Sequence, residues 1–319
     1  MDISYEFLHY GAITSSIALS SLSVGLGEGL ISWSALKAID RQPEARDDIM
    51  RTAVIGMTLV ETVAILGLLI SLLLLFYTNL HDSVFSYYAK VGIIAAMGLS
   101  GFTMGLASAM PAQSACNAVA RQPFFAHRII SFMLMTQVLI QTPIIGAFLI
   151  SLFIQGQAST ATTLADGLRL AASGLCIGIG SIGPGIGLSL FSKAAVTALG
   201  KNTKVYDRIL SFTFVSQALI ETPVIFCMII SLILLFFVHQ GSENVLDGIV
   251  FLSAALCTAF GTIATGIGSG KTSAMACTQI GNNPEAYNVL SRTSLLAQSF
   301  IETIVLYAVI ISLLMILFR

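Results

Sequence analysis

The stretch ILSFTFVSQALIETPVIFCMIISLILLFFV, residues 209–238, is an almost wholly apolar run with a single carboxylate, Glu221, near its centre. About 20 apolar residues make a helix long enough to cross the hydrocarbon core, which puts Glu221 close to the bilayer midplane. A charged side chain there costs about 2.5 to 3.5 kcal/mol on insertion scales, and protonation removes that cost. Gln217 stands one turn earlier on the same helical face, Thr222 follows, and Pro223 leaves a backbone carbonyl without its helical partner. The result is a polar island in an apolar helix.

The island recurs. Glu61 lies in TLVETVAILGLLISLLLLF (58–76), Glu302 in QSFIETIVLYAVIISLLMILF (298–318), and Gln141 takes the same place in MTQVLIQTPIIGAFLISLFI (135–154). Positions 61, 141, 221 and 302 are spaced 80, 80 and 81 apart, so one unit of about eighty residues is present four times. The units are 1–80, 81–160, 161–240 and 241–319, and the second has lost its carboxylate.

Each unit contains two apolar runs, giving eight expected spans at 8–38 and 48–77, 86–119 and 126–155, 165–199 and 206–238, 246–279 and 290–318. The first run of each pair is glycine-rich, with Gly25, Gly27 and Gly29 in the first unit and GIGSIGPGIG (178–187) in the third, and the second is rich in leucine and isoleucine. Glycine costs nearly 1 kcal/mol in a lone helix, so these helices are expected to pack closely on one another while the leucine-rich ones face lipid. Pro143 and Pro223 are expected to kink two of the latter.

Short polar loops join the two runs: DRQPEARDD (40–48), ARQPFFAHR (120–128), GKNTKVYDR (200–208) and GNNPEAYN (281–288). Of the fifteen Lys and Arg, all but Lys90, Arg169 and Arg319 lie in or beside these loops. The positive-inside rule then puts the loops in the cytoplasm and both termini outside. Two spans per unit give every copy the same orientation, unlike inverted-repeat transporters. The connections between units, 78–90, 155–169 and 239–248, are too short for folded domains.

Composition agrees: 56% hydrophobic and 10% charged residues describe an integral membrane protein. A net charge of −1 with no basic run argues against a nucleic-acid partner. The cysteines (Cys116, Cys176, Cys227, Cys257, Cys277) are dispersed and read as small core residues. The N-terminus lacks the basic start and cleavage site of a signal peptide, so the first helix is expected to remain. His9, His81, His127 and His239 sit near span ends or loops, which leaves no histidine relay. Glu28, Glu61, Glu221 and Glu302 remain as ionisable groups deep in apolar runs, each a functional-site candidate by default, with a packing role as the alternative.

A glycine-rich helix, an Arg-Gln-Pro loop and a second helix with a central carboxylate resemble the c subunit, or proteolipid, of rotary F-type ATP synthases. The first unit carries the pattern as Arg41, Gln42, Pro43, then Glu61; the second keeps Arg121, Gln122, Pro123; the third has Lys201-Asn202-Thr203 and the fourth Asn282-Asn283-Pro284. The resemblance covers essentially the whole chain as four fused hairpins, where the family's usual member is one and the vacuolar-type proteolipid commonly two. It implies an all-α transmembrane hairpin fold and a homo-oligomeric ring in a bacterial-type inner or cell membrane. It implies no catalytic site and no cofactor, ion-carrying carboxylates at Glu61, Glu221 and Glu302, and a lost site at Gln141. The implied partners are the stator's a subunit with its arginine, central-stalk subunits docking on the polar loops, and membrane lipid.

Sodium-binding members of the family present Gln or Glu on the first helix, the central Glu, a hydroxyl after it and a tyrosine five residues on. The first unit offers Glu28, Glu61 and Thr62 but Leu66; the third Glu221 and Thr222 but Leu188 and Phe226; the fourth Glu302, Thr303 and Tyr307 but Ser269. A cation needs several oxygen ligands at once, so these incomplete shells favour the proton over Na+. Gln137, Gln217 and Gln298 either brace the carboxylate or hydrogen-bond between helices. The alternatives are a sodium-translocating or vacuolar-type rotor, and a self-contained four-repeat transporter or channel.

Overall fold

A computed structural model describes residues 3–76, 84–236 and 245–318. Among these residues every element is helical. Eight rods follow in chain order: α1 (Ile3–Arg41); α2 (Arg46–Phe76); α3 (Val84–Ile93) running through a π segment (Ile94–Leu99) into α4 (Ser100–Arg121); α5 (Ala126–Ile140) with α6 (Thr142–Ala158); α7 (Leu164–Gly180) with α8 (Ile182–Lys201); α9 (Tyr206–Phe236); α10 (Val245–Asn282); and α11 (Tyr287–Leu317). Seven are long and apolar enough to cross a membrane. The eighth, α1, has the length, but its serines and Glu28 dilute its hydropathy. Parts of the linkers 78–90 and 239–248, with His81, His239 and Arg319, lie outside the described residues.

The four loops fold alike because each leaves the helix at an equivalent residue. Gln42, Gln122, Asn202 and Asn283 have φ between −133° and −146° and ψ between 67° and 103°, followed by one 3-10 turn. At three of them a proline comes next, which keeps the preceding residue out of the helical region. The third loop has Thr203 instead, and there Asn202 Oδ1 accepts from the Lys204 amide at 3.1 Å.

Within a unit the rods are antiparallel and stapled by a repeated serine. Ser71 Oγ donates to Ile13 O, Ser231 Oγ to Ser173 O and Ser312 Oγ to Ala254 O, at 2.7 to 2.8 Å. Ser151, the equivalent in the second unit, bonds only its own helix at Ala147 O. Between units the first rods are parallel and in register: Ser23 Oγ donates to Gly101 O at 2.9 Å, Ser100 and Ser181 share a hydroxyl bond of 2.9 Å, and Thr262 Oγ1 donates to Gly180 O at 3.1 Å. Partners about eighty residues apart at one level mean a common orientation.

The glycine-rich rods form an inner row, α1 to α4 to α8 to α10, and the leucine-rich rods cover its outer face. The row is closed by backbone approach: Gly174 lies against Gly92, Gly178 against Ala95, and Gly187 against Gly266 and Gly270, with no room for a Cβ. Gly27 meets Ala109 and the Gly105 carbonyl, but Gly25 and Gly29 have nothing within 4 Å of a Cβ. The expectation that all three glycines pack within the chain therefore holds for Gly27 alone; the other two line an open edge of the arc. Leu68, Leu69, Leu72, Ile225, Ile229, Ile310 and Ile311 are exposed on the outer rods, as a lipid-facing surface requires. Pro143 coincides with the break between α5 and α6, whereas α9 runs through Pro223 uninterrupted, so only the first proline ends a helix.

At the end remote from the loops, Arg169 caps α9 by donating from Nη1 to Leu234 O and Leu235 O at 2.6 and 2.7 Å. Those carbonyls lie in the last described turn of α9. Arg169→Leu should lower stability by about 1.5 to 3 kcal/mol, the range for hydrogen bonds to a charged group, measured by thermal unfolding in detergent. Full retention of the melting temperature would show that the cap contributes nothing.

Candidate functional site

The three carboxylates stand at equivalent levels on α2, α9 and α11, ten residues before the stapling serines. Glu61 is exposed, and Glu221 and Glu302 are half-buried. The rows of exposed leucine and isoleucine on the same rods make this an outward-facing, apolar setting.

The hydroxyl after the first site residue reaches the neighbouring unit. Gln141 Oε1 accepts from Thr62 Oγ1 at 2.8 Å, and Gln141 Nε2 donates to Leu59 O at 2.5 Å. One unit on, Thr142 lies beside Glu221, but its Oγ1 donates to Leu139 O of its own hairpin at 3.0 Å. Glu221 also forms part of an apolar groove of about 410 Å³ with Leu134, Met135, Val138, Leu139, Phe214 and Ala218. The site thus lies between two outer rods, not within one hairpin. Repetition of Glu-Thr, Gln-Thr, Glu-Thr and Glu-Thr was visible in sequence; which neighbour each threonine faces was not.

Glu302 differs again: its Oε1 is buried with no hydrogen-bond partner, and so is the hydroxyl of Ser269 on the inner rod, one residue from Gly268, which meets Ile301. A buried unpartnered carboxylate oxygen is costly unless a proton or cation joins it. Thr303 Oγ1 donates back to Phe300 O at 2.7 Å and Thr222 Oγ1 to Ala218 O at 2.9 Å, while Tyr307 points outward, 66% exposed. Glu28 is close enough to Glu61 to interact electrostatically across the first hairpin.

Of the two roles open to the glutamines, all three make bonds between helices, and Gln298 Nε2 also donates to Ser294 O and Oγ of its own helix at 3.3 and 3.1 Å. Gln137 Nε2 donates to Gly56 O and Ser108 O at 3.1 and 2.9 Å, Gln217 Nε2 to Ser192 Oγ at 3.3 Å, and Gln298 Nε2 to Ser216 Oγ at 3.4 Å. Gln217 is fully buried while Glu221 reaches the surface. At the loops, Arg41, Pro43 and Arg121 are exposed and Gln42, Gln122 and Pro123 half-buried. Neighbouring loops are tied together: Arg128 stacks 5.2 Å from the Tyr206 ring, and Arg208 donates to Pro284 O and stacks over Tyr287. The loop residues offer donors and charge at one end of the molecule.

A family model for the C subunit of ATP synthase matches residues 12–74, 171–234 and 252–315, in the three hairpins that keep a carboxylate. The chain belongs to the ATP synthase C-subunit family. It is 36% identical over 75 residues to the ATP synthase c subunit of Chloroflexus aurantiacus, covering 24% of this chain and 99% of the relative. Identity to the ATP synthase c subunit of Dehalococcoides mccartyi is 38% over 72 residues, 23% of this chain and 95% of the relative. For the second ATP synthase c subunit of Cereibacter sphaeroides it is 46% over 61 residues, 19% and 74%. One relative therefore corresponds to one hairpin, and this family member is a fusion of four. It is an ion-translocating rotor component, integral to the membrane part of the synthase and not its catalytic part.

Proposed function

We propose that this chain forms the proton-carrying rotor ring of an F-type ATP synthase, with Glu61, Glu221 and Glu302 as the ion carriers and Gln141 as a silent position. All eight rods, α1 included, cross the membrane in this reading, with the loops in the cytoplasm and both termini outside. The observation that carries it is the buried Glu302 oxygen without a partner, at a position repeated on two other outer rods. A carboxylate facing lipid is tolerated when neutral, and ionises when it meets a cation in a hydrated pocket. Each would take a proton from one half-channel, travel through lipid protonated, and release it near the stator arginine; the polar loops would hold the central stalk.

The open edges of the arc support a ring of several copies, since Gly25 and Gly29 are free to meet the α10 face of the next chain. With three carriers for every four hairpins, fewer protons pass per turn, so each must bring a larger driving force for the same ATP yield.

Carbodiimide, which modifies protonated carboxyls in apolar surroundings, tests the assignment. Peptide mass spectrometry of treated membranes should find adducts at Glu61, Glu221 and Glu302 and none at the loop acids. Protection by sodium at neutral pH would transfer the assignment to Na+. Labelled loop acids with all three sites untouched would remove the rotor reading in favour of a transporter.

A further inference from the structure

Gln141 is the residue that the ion-carrying function leaves over, yet it is among the best-bonded polar side chains of the outer rods. It is 7% exposed. Its amide reaches across to α2, where Nε2 meets Leu59 O and Oε1 meets the Thr62 hydroxyl, one residue from Glu61. The orientation of the amide is forced: Leu59 O accepts only, so the NH2 must face it, and the oxygen is left beside the Thr62 hydroxyl, whose single proton is shared between Gln141 Oε1 at 2.8 Å and Leu59 O at 2.7 Å. A protonated carboxyl makes the same two bonds, its O–H donating to the carbonyl and its C=O accepting from the hydroxyl. An ionised carboxylate cannot, because it has no proton to donate to Leu59 O. The carboxamide is thus the neutral isostere that never titrates.

We infer that Gln141 is a positioning residue that holds the second hairpin permanently in the hydrogen-bonded form of a protonated carboxyl, clamping α6 to α2 beside Glu61 at every pH. The clamp rests on the rotor reading only for its purpose: a silent hairpin that stays sealed against its neighbour. One unit on, Thr142 lies beside Glu221, but its hydroxyl donates to Leu139 O, so no equivalent pair of bonds closes that seam. The charged groups at the level of Gln141 are Glu61 on α2, with Glu28 of α1 beside it, and Glu221 on α9. Lys90, Arg121, Asp166 and Arg169 of α3, α4 and α7 lie nearer the rod ends.

The test compares wild type, Gln141→Glu and Gln141→Leu, each as the full-length protein in detergent, by thermal unfolding at pH 5 and pH 9. Gln141→Glu should melt with wild type at pH 5 and about 3 to 6 °C below it at pH 9, where the two bonds cannot both form. Gln141→Leu should fall below wild type by a similar amount at both values. Thr62→Val, which removes one of the two bonds, should lie between, and combined with Gln141→Leu should add nothing further. A Gln141→Glu variant that follows wild type at both pH values, or a Gln141→Leu variant as stable as wild type, overturns the clamp. Carbodiimide treatment in parallel separates this from the rotor reading. Labelling at Glu221 together with residue 141 of the Gln141→Glu variant supports both, and labelling at Glu221 without residue 141 overturns the carboxyl-equivalent geometry. If Glu221 stays unlabelled, the rotor reading fails and the melting data alone decide the clamp.

Discussion

Glu61→Gln and Glu221→Gln should each lower proton-coupled ATP synthesis about a hundredfold, while Glu302→Gln lowers it far less. The asymmetry follows from where Gln141 already stands. Around the proposed ring the site positions would run 61, 141, 221, 302 and then 61 of the next chain, so the wild type would never present more than one neutral hairpin in succession. Removing Glu302 creates a second isolated gap of the same length. Removing Glu61 or Glu221 places the new gap beside Gln141, and in the proposed rotor two neutral hairpins would then pass the stator arginine before a carboxylate could compensate it. A charge left alone at mid-membrane costs about 2.5 to 3.5 kcal/mol, which at 1.36 kcal/mol per tenfold is roughly a factor of a hundred in rate. ATP synthesis by reconstituted vesicles under a fixed proton gradient measures it. Equal losses in all three variants would mean that the carriers act independently of their order, and the argument from neighbouring gaps would fall.

The parts of this structure legible in the sequence are those written in periodicity. The spacing of Glu61, Gln141, Glu221 and Glu302 gave the four hairpins, and the contrast between glycine-rich and leucine-rich runs gave the inner and outer rows. The resemblance of the Arg-Gln-Pro loops and central carboxylates led to the family. What was not legible depends on which neighbour a side chain meets. Thr62 looks like a ligand for the carboxyl position of its own unit, because adjacency along the chain is all a sequence displays. In the fold it reaches the site position of the next unit, some eighty residues on, across the seam between outer rods. Gln141 reads as a loss for the same reason: its gain, two bonds to α2, lies in another repeat. The serines at 71, 231 and 312 were in register and detectable, yet serine in an apolar helix often bonds its own backbone, as Ser151 does, so the pattern alone names no partner. Gly25 and Gly29 match Gly27 in composition but face the other side of α1, where this chain supplies nothing to pack against.

That difference between glycines sets the second large effect. Gly187→Val should prevent stable folding of the chain, and Gly29→Val should leave the chain stable but block its assembly. A Cβ on Gly187 would run into the Gly266 carbonyl, and one on Gly270 would run into the Gly187 backbone, so at this crossing each helix meets main chain, which has no rotamer with which to yield. Overpacking costs typically 1 to 3 kcal/mol where side chains can move aside and more where they cannot, so a loss of about 3 kcal/mol or greater is expected, enough to unfold a marginal protein. Gly29 has open space within 4 Å, and valine there strains nothing inside one chain. If α1 packs on α10 of the next copy as α8 packs on α10 here, the added methyl groups fall in that seam and hold the two inner rods apart. Thermal unfolding of the isolated chain reads the first effect, and retention of the oligomer in native electrophoresis reads the second. A Gly29→Val protein that assembles fully would show that the open edge of α1 is not where copies meet, and the ring would have to close through a different face.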